Sequence, residues 1–333
     1  MSQSSSNEPE GIIKQKPGAR SNAHVPFFNK AARTAMAKET INKTIPDILS
    51  SNERAKRGVK SAQLLRDLPK LASASGGTKT EATLHVSVIQ SDTLAAAQLL
   101  HSKNPHSKIA VLNMASPLQP GGGVLRGAKA QEESICMRTT LYHSLRMEWY
   151  RLPDDAVVYT PDVLVFKSAN PELRMLDASE RFYVDVISCA AVRMPELDDV
   201  QDESGEKQLS YADPKDEELM SLKIKYIMRT AARMGVQRLV LGALGCGAYR
   251  NPIGLVAKMM RRCLLGRDNK RGAEENWALA GIEQVVIAIL DETPERKVWT
   301  GFANEFSKSE GVFVEGSSHT QKDTSSGTPS PSG

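Results

Sequence analysis

Aromatic residues make up only 5% of this 333-residue chain, against 40% hydrophobic residues overall. That is sparse for a chain packed from end to end, and it points to termini that contribute nothing to a core. Residues 1–25 are rich in Ser, Asn, Glu and Pro, and residues 311–333 end in a Ser/Gly/Pro/Thr run. Neither stretch carries enough apolar surface to offset its ordering entropy, so both read as disordered tails. The four cysteines, Cys136, Cys189, Cys246 and Cys263, are scattered. No CxxC and no Cys/His ligand spacing occurs, which argues against a metal site and against a disulfide framework. The expectation is reduced thiols in an intracellular protein, nuclear and/or cytoplasmic, that needs no cofactor. There is no signal-peptide core and no long apolar run, so neither export nor membrane spanning is expected. The net charge of +4 is spread over 43 basic and 39 acidic residues. It is too small to argue for specific nucleic-acid binding, and the chain reads as a monomer. The cluster Arg54, Lys56, Arg57 and Lys60 reads as a solvated helix face.

What is present is an alternation of strands and helices. Phe27–Asn42 and Ser61–Leu71 read as helices, with Pro46 and the charged segment up to Gly58 breaking the pattern between them. Ser73–Glu81 reads as a flexible link. Beyond it, LHVSVIQ, Lys108–Met114, VLVFK, FYVDVISCAAV, QRLVLGA and IEQVVIAIL read as strands. Thr93–His101, Gln131–Trp149, Asp213–Met234, Asn251–Leu265 and Pro294–Phe306 read as helices. Asp198–Gln208 reads as an acidic surface insertion, and RDNKRGAEEN as a polar loop. Such alternation implies a mixed sheet covered on both faces, α/β/α. The expected organisation is a helical accessory extension at residues 26–80, packed on a catalytic domain at residues 81–310.

Two glycine-rich loops each follow a strand. In the first, PGGGVLRGAKAQEES, Gly121, Gly122 and Gly123 precede Gln131, Glu132 and Glu133 at the start of a helix. Glycines let backbone approach a bulky ligand where a side chain would block it. The paired carboxyls can bind hydroxyls and donate a proton. In the second, GALGCGAYRNP, Gly245, Cys246, Gly247 and Ala248 precede Tyr249 and a helix opened by Pro252. Consecutive N–H groups of small residues make an anion nest, strengthened by a helix N-terminus. Neither loop is a dinucleotide fingerprint or a P-loop: Arg126 stands where the last glycine of the fingerprint belongs, and no Gly-Lys-Ser/Thr follows.

Taken together, GGG…QEE and GALGCGAYRNP, in this order and separation, resemble the bacterial-type poly(ADP-ribose) glycohydrolases, a family with a macrodomain fold. The resemblance runs from about Phe28 to Phe306 and includes the ARTAMAKET helix. It implies a three-layer macrodomain-like mixed sheet with an N-terminal helical extension. It also implies an enzyme that cleaves ribose–ribose bonds of poly(ADP-ribose), mainly from the chain terminus, and releases ADP-ribose. By the same resemblance Gly245–Ala248 cradle the diphosphate, with Gly121–Gly123 closing from the other side. Glu133 is the general acid, Glu132 holds ribose hydroxyls and Gln131 orients the pair. Tyr249 stacks beneath the distal ribose, Asn113 meets a ribose hydroxyl and Asp92 accepts from the adenine amino group. Asp92 also reads as a helix N-cap, Cys246 as structural, and His143 as a core histidine. Val192 replaces the proline expected after the strand FYVDVISCAAV. General acid catalysis of glycoside hydrolysis near neutral pH needs a carboxyl kept protonated. Two other readings stay open: a hydrolase of mono-ADP-ribosylated protein or another ADP-ribose conjugate, and a non-catalytic ADP-ribose reader.

Overall fold

The structure, a computed structural model, describes residues 29–71, 82–169, 173–201, 205, 207–266 and 275–316. The expected tail at 1–25, the link at 73–81 and most of the RDNKRGAEEN loop lie outside the described residues.

The chain opens with α1 (Lys30–Glu39), capped by the Asn29 side chain, and continues through a π-helical turn into α2 (Ile45–Ser51). Asn52 caps α3 (Glu53–Lys60). Then follow β1 (Gln63–Arg66), β2 (His85–Ile89), α4 (Thr93–Lys103), β3 (Ile109–Met114) and α5 (Gln131–Arg138). After two 3-10 turns come β4 (Ala156–Val165), β5 (Phe182–Cys189), the hairpin β6 (Leu197–Gln201) and β7 (Lys207–Tyr211), and α6 (Pro214–Arg233). The chain closes with β8 (Arg238–Leu241), α7 (Ile253–Leu265), β9 (Gln284–Ala288), α8 (Lys297–Phe306) and β10 (Phe313–Val314).

Eight strands form one sheet in the order β1-β4-β5-β3-β8-β9-β2-β10. β4 pairs antiparallel with both β1 and β5, and the remaining neighbours are parallel. The central strands have apolar residues on both faces, as a sheet sandwiched by helices requires. On β3, Ala110 and Leu112 join the core under α6, α7 and α8. Ile109 and Val111 join the opposite core, built with α1, α2, α4 and α5. Asn113 falls in register with this second set, on the α5 side, at the carboxyl end of the strand.

Several expected elements differ. Ser61–Leu71 is not a helix, because Gln63–Arg66 adds an edge strand beside Ala156–Tyr159 of β4. Arg66 fixes that edge by forking onto Asp155 at 2.9 Å. The extension at 26–80 is therefore part of the sheet as well as a helical layer. Pro46 does not break the N-terminal helices: it sits in the first turn of α2, where its missing N–H is not needed. The charged segment to Gly58 is helical too, as α3. The expected helix Gln131–Trp149 ends at Arg138. There Thr139 turns extended, accepts the Leu141 N–H and bridges to Val165, while Thr140 accepts the Leu164 N–H. Two β-branched threonines bonded to a strand stop the helix. His143, in the 3-10 turn that follows, is exposed rather than a core residue, and its ring nitrogen meets the Ile41 carbonyl at 2.8 Å. The acidic insertion forms the β6–β7 hairpin. β10 places Phe313 and Val314 of the expected C-terminal tail beside β2.

Candidate active site

β3 and β8 are neighbouring parallel strands, so the two glycine loops leave the same edge of the sheet side by side. This is where ligands collect in open α/β sheets. α5 begins directly above β3, and Gln131 ties it there. Its Oε1 accepts the Met114 N–H at 2.8 Å, while its Nε2 donates to the Leu112 carbonyl at 2.6 Å and the Thr93 hydroxyl at 3.1 Å. Gln131 thus positions the carboxyl pair through the backbone of β3.

Glu132 and Glu133 are both buried, 3% and 6% exposed. They are held differently. Glu132 has both oxygens engaged: Oε2 accepts the Ser116 N–H at 2.8 Å, and Oε1 accepts from the Asn113 amide at 3.4 Å. Glu133 accepts the Gly123 N–H through Oε1 at 2.7 Å, and its buried Oε2 has no hydrogen-bond partner among the described residues. Burial pushes the Glu132 carboxyl up to about 8. The Ser116 and Asn113 donors oppose that rise, and the neighbouring Glu133 adds to it. Glu132 therefore stands mainly protonated at neutral pH.

The glycine triplet covers this pair. Gly122 has φ +57°, and a Cβ there would lie 2.6 Å from Glu133 Oε1 and 2.8 Å from Glu132 Oε2. A side chain is thus excluded by both the backbone and the carboxyls. Gly121 lies against the Tyr142 ring. The Gln119 side chain donates to the Gly122 carbonyl and accepts from Arg126. The far end of the loop is tied to α1, where Arg33 Nε donates to the Gly127 carbonyl at 2.8 Å.

Asn113 is fully buried and donates to Ser188 Oγ at 3.0 Å as well as to Glu132. Its Oδ1 has no partner among the described residues. In the second loop, Gly247 and Ala248 are exposed, Gly245 is half-buried and Cys246 is buried. Burial raises the Cys246 thiol far above neutrality, as befits a structural thiol. Gly245 has φ +74° and packs on Ala191 and Asn251. Asn251 clamps the loop: it donates to the carbonyls of Val192 at 2.8 Å and Gly245 at 3.1 Å, and accepts from the Tyr211 hydroxyl at 2.8 Å. Val192, standing in place of the expected proline, thereby supplies an acceptor to this clamp. Tyr249 is half-buried, and the Ser116 side chain near its hydroxyl opposes the rise that burial gives that hydroxyl, bringing the two loops together. Asp92 caps α4 through the Ala95 N–H at 2.7 Å and pairs with Arg138.

The structure thus brings Asn113, Gly121–Gly123, Glu132 and Glu133 into one cluster and joins Tyr249 to it through Ser116. Asp92 reaches this group through Arg138 of α5. Sequence reasoning missed three supports: Ser116, Asn251 and Arg33. The Asn-Pro after the second loop was visible as a motif, but nothing in the sequence marked its amide as a clamp. Nothing local marked Ser116, which gives its backbone N–H to a carboxyl 16 residues away, or Arg33, whose partner is a backbone carbonyl 94 residues away. Among the described residues no group of three or more His, Cys, Asp or Glu gathers as metal ligands, and no helix is long and apolar enough to cross a membrane.

Residues 32–168 match the family model for the microbial-type PARG catalytic domain. No curated protein matches the chain at a significant level. Among solved structures, poly(ADP-ribose) glycohydrolase from Thermomonospora curvata is 25% identical, with a TM-score of 0.63 over 83% of this chain and 100% of that one. The same enzyme bound to the inhibitor ADP-HPD aligns over the same shares at 24% identity. The Deinococcus radiodurans glycohydrolase in complex with ADP-ribose is 26% identical, with a TM-score of 0.58 over 76% of this chain and 97% of that one. The family match spans β1 to β4 and both carboxyls, and the structural likeness to the Thermomonospora enzyme covers 83% of the chain. The chain is similar to the microbial-type poly(ADP-ribose) glycohydrolases, in sequence over residues 32–168 and in fold over most of its length.

Proposed function

We propose that the protein hydrolyses the ribose–ribose glycosidic bond of poly(ADP-ribose), mainly from the chain terminus, and releases ADP-ribose. The observation that carries this reading is the buried Glu132–Glu133 pair beneath Gly122, at the same sheet edge as the Gly245–Ala248 loop. A reader of ADP-ribose needs the second loop but has no use for two buried carboxyls.

Gly245–Ala248 bind the diphosphate through backbone N–H groups, and the Gly121–Gly123 backbone covers the distal ribose. Tyr249 supports that ribose from the side. Glu132, protonated, donates to a ribose hydroxyl oxygen. Glu133 transfers a proton to the glycosidic oxygen as the C–O bond breaks and the oxocarbenium ion forms. The Glu133 carboxylate then takes a proton from the water that adds to the anomeric carbon. Glu133 is favoured over Glu132 for this work by hydrogen bonding: Glu132 has both oxygens engaged, while Glu133 Oε2 has no partner among the described residues.

Incubation with poly(ADP-ribose) and, separately, with mono-ADP-ribosylated protein tests the reading. Monomeric ADP-ribose released from the polymer is the expected product. Release from the protein conjugate alone would replace this reading with the mono-ADP-ribose hydrolase. Tight ADP-ribose binding with no release from either would leave a reader.

A further inference from the structure

Arginines elsewhere in the molecule commonly meet a carboxylate, as Arg229 does with Glu275 at 2.9 Å and Arg66 with Asp155 at 2.9 Å. Arg193 and Arg250 are different. Both are exposed, and neither forms an ion pair among the described residues. They lie on either side of Tyr249. Arg193 is in the segment after β5, and the next residue, Met194, donates its N–H to the Tyr249 carbonyl at 3.0 Å. Arg250 follows Tyr249 directly, and its N–H is fixed on the Gly247 carbonyl at 3.0 Å. Met194 and Arg250 both adopt left-handed backbone, with φ of +50° and +55°. Burial raises the Tyr249 hydroxyl, and the Arg193 charge opposes that rise, so the guanidinium's field reaches the ring. Tyr249 in turn joins Ser116, whose N–H holds Glu132. Two exposed arginines with no ion pair among the described residues therefore flank Tyr249 in the fold, and Tyr249 is linked through Ser116 to Glu132.

A single ADP-ribose unit has one diphosphate, and the Gly245–Ala248 nest accounts for it. A polymer presents a second diphosphate on the far side of the bond to be cleaved. We propose that Arg193 and Arg250 form a subsite for the diphosphate of this second ADP-ribose unit, an inference that rests on the poly(ADP-ribose) reading above. Guanidinium forks match phosphate oxygens in pairs. Because both side chains are exposed, their contribution is moderate and sensitive to salt. The subsite thus governs polymer capture and leaves the bond-breaking step alone.

The test compares wild type with Arg193→Gln/Arg250→Gln. The ligands are ADP-ribose and a two-unit ADP-ribose oligomer, measured by direct binding at low and high salt, together with steady-state hydrolysis of poly(ADP-ribose). The double variant should raise the oligomer Kd and the polymer KM about tenfold at low salt. ADP-ribose affinity and kcat should stay within about twofold. The log–log salt slope for the oligomer should shrink by about 1.4, as for two phosphate contacts on a single-stranded polyanion. Arg193→Lys/Arg250→Lys should restore most of that slope, and a matching thermal melt shows that the variants are folded. The single reversal Arg193→Glu gives a second measurement, with a larger loss for the oligomer than for ADP-ribose. Equal losses for monomer and oligomer would assign the arginines to the first diphosphate and overturn the proposal. An unchanged oligomer Kd at low salt would leave them as solvated cations, with the same result. Wild type that prefers the oligomer but releases nothing from the polymer would sink the enzymatic reading while keeping the subsite.

Discussion

Two adjacent glutamates of one helix turn have separate environments, and the separation can be measured. Glu133→Gln keeps shape but removes the transferable proton, and turnover should fall by about 10²–10⁴ with ADP-ribose binding nearly unchanged. Glu132→Gln should weaken ADP-ribose binding as well as rate, because the ribose loses its donor geometry. If Glu133→Gln keeps most of the activity, the proton comes from Glu132, whose raised value makes it the next choice. Glu132 also gives stability a pH dependence. Its carboxyl stands near 4.5 when unfolded and about 8 when folded. The folded state therefore binds an extra proton between those values. That contribution is whole below about pH 4.5 and is lost as pH rises through about 8. Glu132→Gln removes the titration, so its stability relative to wild type should climb by about 1.4 kcal/mol per pH unit across that window. Melting curves from pH 5 to 9 check this, and parallel curves for the two proteins would refute it.

At the level of elements, the first glycine loop is held between α5 and α1. Gly122→Ala would press a methyl group onto both carboxyls and impose a left-handed backbone on alanine. Loss of about 1–3 kcal/mol of stability and at least tenfold in kcat is expected. Activity like wild type would show that the loop is not set by this contact. Arg33→Ala releases the other end of the loop from α1. It should cost about 1–2 kcal/mol and lower kcat several-fold with little change in ADP-ribose affinity, and Arg33→Lys should recover only part, since an ammonium reproduces the charge but not the guanidinium Nε–H. Equal effects on kcat and ADP-ribose affinity would count against a positioning role. These elements were legible in the sequence to differing degrees. GGG, QEE and GALGCGAYRNP sit in continuous segments, and their chemistry could be read directly. The strands around them carried aliphatic runs that only a doubly covered sheet explains. β1 was misread as helix because four residues, QLLR, carry no distinguishing period and owe their conformation to β4. The end of α5 was misread because Thr139 and Thr140 stop it through bonds to a strand more than 20 residues away. Arg33 and Asn251 act on backbone carbonyls, which have no sequence identity to detect.

For the whole molecule, the two cores on either side of one sheet make ligand binding and global stability a single equilibrium. ADP-ribose at 100 times its Kd should stabilise the protein by about 2.7 kcal/mol, a rise of several degrees in melting temperature for a domain of this size. Gly247→Glu, which places charge and bulk in the exposed part of the nest, should abolish that rise while the unliganded protein melts as before. An equal rise in wild type and variant would remove the diphosphate from this loop. The position of β3 has a further consequence, set by the direction of synthesis. Its two sheet neighbours, β5 and β8, both come later in the chain. When residues 109–138 leave the ribosome, the strand beneath the glutamates has no partner on either side. Domains complete their folding once the contacting segments have been made. Until residue 241 has emerged, the strand beneath Glu132 is not enclosed, and the Glu132 carboxyl faces water, where it ionises as an ordinary acid. A nascent chain stalled before β8 therefore holds Glu132 as a solvated anion, and its proton is acquired only as β8 docks beside β3.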